Sequence, residues 1–468
     1  MKLLRSTFLL LSVLLLTTSC ASFRELPKDY SRIVEKRSKA ASDRTVIVFL
    51  VDGLQVETLK QELVAGNIPN LSSFFIGSKQ EMYIARTEFP SLTFTGIGGL
   101  LTETPVNKNG LFGNKVLKEN EVINLEQPQN YRELSRRMKN QNIFARLRAK
   151  GHKTVSLSYS FYADADVHSD IVDPQAALAI LNEDYDFLDR KTLDSLSLLL
   201  TQNIPETWPD FIFVHLVGVD FLTHRFGPQS LNVPKYLKKL DLQLKPIFEL
   251  LNLSEINKQR KVMSLLTSDH GFDQNISSRV ELTQLLGPQA KQMTIFNEGR
   301  YAGLYFPKDW SATQRTEYMQ KISQDSAIEI VAYQNDNRVS ILSIGRETEF
   351  TYSKSPCQQG DYAISIQHLR PRNLKSIMNP ATCPEKLDAK INYLFHPYFI
   401  ANLSHYFQAE SHPEALIIPR PGISFHRGTL GQHGGPTRQE IFVPLLIHNG
   451  TLTDLKRNSP LWQLLHFL

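Results

Sequence analysis

TVIVFLVDG, residues 45–53, is an unbroken apolar run that stops at Asp52-Gly53. A strand with one wet face would alternate apolar and polar side chains. A run without a polar face suits a strand covered on both sides, as in a parallel sheet with crossover helices on either face. FIFVHLVGVD (211–220) and KVMSLLTSDHG (261–271) have the same form, and they end in Asp220 and in Asp269-His270. KTVSLSYS (153–160) and FVPLLIHN (442–449) supply two more strands. Helical patterns lie between: Val56 to Ala65, one amphipathic helix over 131–150 stopped by Gly151, Leu178 to Leu200, and Lys235 to Leu253. Strands alternating with helices predict a doubly wound, mostly parallel α/β sheet.

After residue 295 the texture changes. RYAGLYFP, AIEIVAYQ, RVSILSIG, EFTYS and DYAISI are short strand candidates separated by turn residues. They predict an inserted α+β cap over 296–421, between a catalytic core over 45–295 and a return to that core over 422–468. No internal repeat or low-complexity tract interrupts this plan.

The chain has 468 residues, 41% hydrophobic and 21% charged, which is ordinary for a globular protein. Lys and Arg are spread through it, so a nucleic-acid duplex is not an expected partner. The first residues, MKLLRSTFLLLSVLLLTTSC, carry Lys2 and Arg5, then an apolar run from Phe8 to Leu16, then small residues up to Cys20. This is the layout of a secretory signal, and the run falls short of the roughly 20 residues of a membrane span. TTSC resembles a bacterial lipobox with Thr17 in place of the usual Leu. The expectation is a signal peptide over 1–19, a lipidated Cys20 anchoring the chain to a membrane, and a tether over 20–44. The competing reading is cleavage near Cys20 by an ordinary signal peptidase. Either way the protein is expected in the cell envelope, facing the periplasm or the exterior. Without residues 1–19 the chain keeps 50 Lys+Arg against 47 Asp+Glu, close to neutral. Cys357 and Cys383 are then the remaining cysteines. In an exported protein they are expected to form a disulfide, the alternative being two thiols.

Ligands in open α/β sheets gather at the carboxyl ends of the strands. Asp52, Asp220 and the Asp269-His270 pair are expected there together. His224 lies four residues beyond Asp220, one helical turn away on the same face. His433, in GQHGG, sits in a Gly-rich turn that permits close approach. Singly, each Asp reads more readily as a turn or cap residue than as a ligand; together with the histidines they form a nitrogen and oxygen donor set without thiolate. Such a set suits Zn²⁺, with Mn²⁺ or Fe as alternatives. FPSLTFTGIGGLLTETPVNKNGLFGN (89–114) then places Thr93 where a short helix begins. A hydroxyl there faces free N–H groups and the positive end of the helix, a setting for a nucleophile attacking phosphorus as well as for a simple cap. His215 and His405 read as structural.

The order VDG, FPSLTF…GN, DFLTHRFGP, SDHG, GQHGG resembles the alkaline phosphatase superfamily, and within it the type I phosphodiesterase and nucleotide pyrophosphatase branch. The likeness covers residues 44–290 and 422–450. It implies a two-zinc centre, one ion on Asp220, His224 and His433, the other on Asp52, Asp269, His270 and the Thr93 oxygen. It also implies a phosphate contact from Asn114. The pattern departs from the family at Thr95-Gly96, where Pro-Asn is usual, and at Thr102-Glu103, where Thr-Gly is usual. Ser91 and Thr95 are weaker candidates for the nucleophile. No CxPxR-like sequence occurs, which disfavours a sulfatase.

The reading is an exported zinc-dependent phosphodiesterase, hydrolysing a small phosphate ester through a phospho-threonine intermediate. A phosphomonoesterase of this superfamily adds cations to hold a second charge. Where one such branch has Lys-x-Arg, this chain has Tyr159 and Phe161, an aromatic lip suited to a diester with a base, lipid or aryl leaving group. Arg86 is the one nearby residue that would reverse this. The alternatives with the same metals are an alkaline phosphatase, a phosphonate hydrolase and a phosphotransferase. The alternative of another class is an inactive envelope binding protein.

Overall fold

The computed structural model describes residues 42–77, 82–119, 121–168, 179, 182, 184–357, 362–370, 381–387, 395–450 and 458–468. The expected signal peptide, Cys20 and nearly all of the tether lie outside the described residues.

The chain runs through β1 (Arg44–Val51), α1 (Val56–Val64), β2 (Tyr83–Arg86) and α2 (Thr93–Thr102). The hairpin of β3 (Lys115–Lys118) and β4 (Glu121–Asn124) precedes α3 (Tyr131–Met138) and α4 (Ile143–Ala149). Then come β5 (Thr154–Leu157), β6 (Val167–His168), α5 (Tyr185–Thr201), β7 (Phe211–Leu216), α6 (Gly218–Phe226), α7 (Asn232–Ile256) and β8 (Lys261–Thr267). The later part holds β9 (Ser278–Arg279), β10 (Thr294–Asn297), β11 (Ala302–Tyr305), α8 (Ala312–Ile322), β12 (Ile328–Asn335), β13 (Arg338–Ser343), β14 (Arg346–Pro356) and β15 (Tyr362–Arg370). It closes with α9 (Phe399–Tyr406), β16 (Ala415–Pro419), β17 (Ile423–Ser424) and β18 (Phe442–His448).

A seven-stranded sheet of order β2-β18-β8-β1-β7-β5-β6 forms the centre. Strands β8, β1, β7, β5 and β6 pair in parallel, while β18 runs antiparallel to both β8 and β2. The uninterrupted apolar run of β1 has a simple cause. Ile47, Phe49 and Val51 pack with Leu196, Phe248 and Leu251 from α5 and α7 on one face. Val46, Val48 and Leu50 pack with Ile97, Leu100 and Phe144 from α2 and α4 on the other. Both faces are dry, so alternation has nothing to gain.

A second seven-stranded sheet, β10-β11-β16-β12-β13-β14-β15, is antiparallel throughout. Met319 and Ile322 of α8 cover one face against Val331 and Ile417. The other face takes Phe399 and Leu403 of α9 together with Phe89, Leu92 and Phe112. The segment around Thr93 is therefore wedged between the two sheets. Cys357 and Cys383 are joined by a disulfide with Cα atoms 5.8 Å apart.

The single helix expected over 131–150 is two. Asn140 adopts φ +62, and the Asn142 side chain caps α4 by accepting from the Ala145 N–H. The asparagines of KNQN offer local hydrogen bonds that compete with a continuous helix.

Helix α2 is buried from Phe94 to Thr102 and rests on the end of β8. A Cβ at Gly96 would stand 2.4 Å from the Asp269 carbonyl oxygen. The close approach explains glycine at a position where the family pattern differs. Because backbone cannot yield as a side chain can, Gly96→Ala is expected to destabilise the protein by about 1–3 kcal/mol. Urea unfolding measures this; an unchanged midpoint would show that α2 does not press on β8.

Candidate metal centre

Six side chains far apart in sequence meet beyond the ends of β1, β7 and β8. Register brings in two of them. Leu50 pairs with Thr267 across β1 and β8, so Asp52 and Asp269 leave their strands at matching positions. Asp220 does not end a strand as the 211–220 run suggested: β7 stops at Leu216, and Asp220 occupies the first turn of α6 with His224 one turn on. Gly53 adopts φ +69, and a Cβ there would lie 3.0 Å from the Asp220 Cα, so glycine lets the turn after β1 pass close to α6.

His270 Nε2 lies 3.4 Å from Asp52 Oδ1, 3.3 Å from Asp269 Oδ2 and 3.1 Å from Thr93 Oγ1. His433 Nε2 lies 3.1 Å from His224 Nε2, and the two nitrogens stand 3.6 and 3.5 Å from Asp220 Oδ1. The His270 and His433 rings stack with centroids 3.6 Å apart. Asp52, Asp269 and His270 place ligand atoms within 4.8 Å of one another, as do Asp220, His270 and His433. His270 thus stands at the junction of both groups, whereas the sequence resemblance gave it to one.

The tautomers follow from the partners. His224, His270 and His433 face the carbonyls of Gly431, Gly271 and Ser91 through Nδ1 at 3.0, 3.1 and 3.0 Å. A carbonyl only accepts, so each Nδ1 carries the proton and each Nε2 turns a lone pair into the cluster. Asp52 Oδ1, Asp220 Oδ1 and Asp269 Oδ2 are buried and accept no hydrogen bond. Lone pairs of three imidazoles and three orphaned carboxylate oxygens face the same space. This donor set fits divalent cations, with the carbonyls in the orienting role usual for metal-bound histidine.

Electrostatics agrees. Burial, then the charges of Asp269 and Asp220, push the Asp52 carboxyl well above the carboxylate range. Burial lifts Asp220 to about 7, with His270 opposing and Asp269 adding to the rise. Burial, with His270 and His224, holds the His433 imidazole well below its ordinary value.

Thr93 is the first residue of α2 and half-buried. Asn114 lies beside it: its Oδ1 accepts the Phe94 N–H at 3.3 Å. Ser91 is occupied otherwise, donating to the Gly435 carbonyl at 2.6 Å and holding the His433 loop. Phe161 is 1% exposed and packs on Phe94, so it forms core rather than a lip; Tyr159 is half-buried and stacks on His215. The Arg86 guanidinium lies 4.2 Å over the Tyr398 ring and reaches Asn402 at 3.4 Å.

Sequence reading missed two supports. His215 holds Asp52 Oδ2 at 2.8 Å, and burial drops its pKa to about 4. A lone imidazole near the end of a dry strand was the available signal, since a buried polar group needs a partner. Arg300, fully buried, sits 3.1 Å from Asp273 and 3.5 Å from Glu440. Glu440 in turn accepts the Gly435 N–H at 2.7 Å, and Asp273 donates its N–H to the Gln432 carbonyl at 3.1 Å. The His270 and His433 turns are thereby tied to each other and to the second sheet.

A profile of the type I phosphodiesterase / nucleotide pyrophosphatase family matches residues 46–358. Among solved structures, murine ectonucleotide pyrophosphatase / phosphodiesterase 5 aligns at TM-score 0.56 and 14% identity, over 90% of this chain and 94% of that one. An inactive variant of that mouse protein in complex with AMP gives 0.55 and 13%, over 90% and 94%. Phosphonoacetate hydrolase from Sinorhizobium meliloti, in complex with phosphonoformate, gives 0.54 and 14%, over 90% and 93%. At such identities the likeness establishes a shared fold, an α/β core with a mostly parallel central sheet and an additional antiparallel one. No curated protein matches the chain.

The crowding of carboxyls has a measurable sign. A carboxyl with a raised folded pKa binds more protons folded than unfolded, so it costs stability as pH climbs toward that pKa. The depressed histidines act only below about 6.5, where the unfolded chain takes up protons. Above about pH 6.5, through the range where Asp220 titrates, the carboxyls act alone. Thermal midpoints of the chelated and zinc-loaded chain are expected to diverge over that range, the chelated one falling. A constant gap would show that Asp52 and Asp220 do not compete for one proton-poor space.

Proposed function

This chain belongs to the type I phosphodiesterase / nucleotide pyrophosphatase family, and from that membership we propose that it is an exported dizinc phosphodiesterase acting through Thr93. The family is one of phosphoric ester hydrolases. The observation that carries the finer reading is the orphaned donor set beside a hydroxyl at a helix start. Asp220, His224 and His433 would hold one ion; Asp52, Asp269, His270 and the Thr93 oxygen would hold the other. Two bound divalent cations would supply a lowered pKa for the threonine hydroxyl and charge relief at the departing oxygen.

The chain's own groups do the rest. Thr93 Oγ1 attacks phosphorus, and the bond to the leaving oxygen opposite breaks. Water then attacks the phospho-threonine, the Thr93 oxygen departs, and two inversions leave net retention. Asn114 Nδ2 would donate to a non-bridging oxygen as charge grows there. The N-terminus of α2 favours the same anion.

A diester is favoured over a monoester because Arg86 is engaged over Tyr398, and because half-buried aromatics border the site. Tyr185 and Phe221 stack at 4.0 Å next to Asp220, whose charge raises the Tyr185 pKa after burial does. Such surfaces suit an aryl, lipid or base leaving group. Export and a lipid on Cys20 remain part of the proposal, resting on residues 1–20. Among the described residues no helix is long and apolar enough to cross a membrane.

The zinc-loaded protein is expected to hydrolyse bis-p-nitrophenyl phosphate faster than p-nitrophenyl phosphate. Thr93→Ala is expected to lose on the order of 10³-fold in kcat while keeping its metal. Full turnover in that variant would remove Thr93 from the mechanism. The opposite substrate preference would make the enzyme a monoesterase.

A further inference from the structure

The metal cluster does not account for the β3–β4 hairpin. Its register pairs Lys115 with Asn124, so Asn114 and the Leu125-Glu126 pair lie side by side at its open end. The Leu125 N–H donates to the Asn114 carbonyl at 2.8 Å. The side chains meet as well: Asn114 Nδ2 donates to Glu126 Oε1 at 2.8 Å while its Oδ1 accepts from the Phe94 N–H. Only an amide oxygen can face an N–H and only an amide nitrogen a carboxylate, so the orientation of Asn114 is set from both ends. Glu126 is itself held by Asn124 Nδ2 at 3.2 Å on Oε2.

The lysines of the hairpin are engaged elsewhere, Lys115 with Glu298 at 2.9 Å and Lys118 with Glu133 at 3.2 Å. Among the described residues no Lys or Arg forms an ion pair with Glu126. Its side chain is exposed, and its negative charge adds a minor upward push at Asp220, His224 and Tyr159.

We infer that Glu126 is a specificity-determining residue, which aims the Asn114 amide at the phosphate and sets a fixed negative charge against the second charge of a monoester dianion. The inference rests on the proposed reading of Thr93 and Asn114. An amide nitrogen has two hydrogens about 120° apart, so an oxygen on the free one lies about 5 Å from Glu126 Oε1. A diester brings one charge to that place and a monoester nearly two at neutral pH. At that distance, with a dielectric between that of bulk water and that of a protein surface, one extra charge costs about tenfold.

The test is Glu126→Gln, which keeps an acceptor for Asn114 and removes the charge. The ratio of kcat/KM for p-nitrophenyl phosphate to that for bis-p-nitrophenyl phosphate is expected to rise about tenfold. In the parent protein, added salt should raise the same ratio, and in the variant it should not. An independent arm measures orthophosphate binding to the zinc-loaded Thr93→Ala chain, where adding Glu126→Gln should tighten Kd about tenfold. An unchanged ratio and an unchanged Kd overturn the role of Glu126 and leave the phosphoesterase standing. Turnover that survives Thr93→Ala instead removes the reading beneath it, and the inference falls with it.

Discussion

Three carboxylates and three imidazole lone pairs are crowded into one buried space. Asp52, Asp220 and Asp269 each leave one oxygen without a hydrogen bond, and the Nε2 atoms of His224 and His433 face each other at 3.1 Å. Leaving so many charged or polar groups unpaired inside a protein is costly. The surroundings do not relieve it; they enforce it. Backbone carbonyls take the Nδ1 proton of each histidine, and His215 takes the other oxygen of Asp52. On this account the fold concentrates donors for positive charge at one place, and the proposed chemistry depends on that concentration.

That donor cluster is built by two sheets rather than one. The parallel sheet supplies Asp52 and Asp269 through matched strand ends, with Asp220 and His224 on the helix that follows β7. The His433 turn comes late in the chain and reaches the cluster through Glu440 and the buried Arg300 of the β10–β11 loop. Phe89, Leu92 and Phe112, which flank Thr93 and precede Asn114, pack against the second sheet. A change in the second sheet therefore reaches the ligand loops through a short chain of buried contacts.

Much of this was legible in the residues, and the reasons differ. Dry strands betray themselves by lacking alternation, so β1, β7 and β8 and the carboxylates beyond them stood out. Asp220 lies one element later than its sequence run implies, because VGVD continues the apolar pattern although Gly218 already starts a helix. The break between α3 and α4 is hidden because the Asn142 side chain, not hydrophobic spacing, marks it, donating to the Met138 carbonyl and capping the second helix. Phe161 read as a lip because composition does not tell a buried ring from an exposed one. His215 reads as structural, yet it contacts Asp52; its partner lies just past the end of a neighbouring strand, and pairing across a sheet leaves no mark in local sequence. Glu126 depends on hairpin register in the same way.

The most direct measurement is anomalous diffraction at the zinc edge from crystals of the zinc-loaded protein. The account predicts two peaks, one among Asp52, Asp269, His270 and Thr93, the other among Asp220, His224 and His433. A zinc-loaded crystal with no peak at this cluster, or with zinc bound only elsewhere, would contradict it.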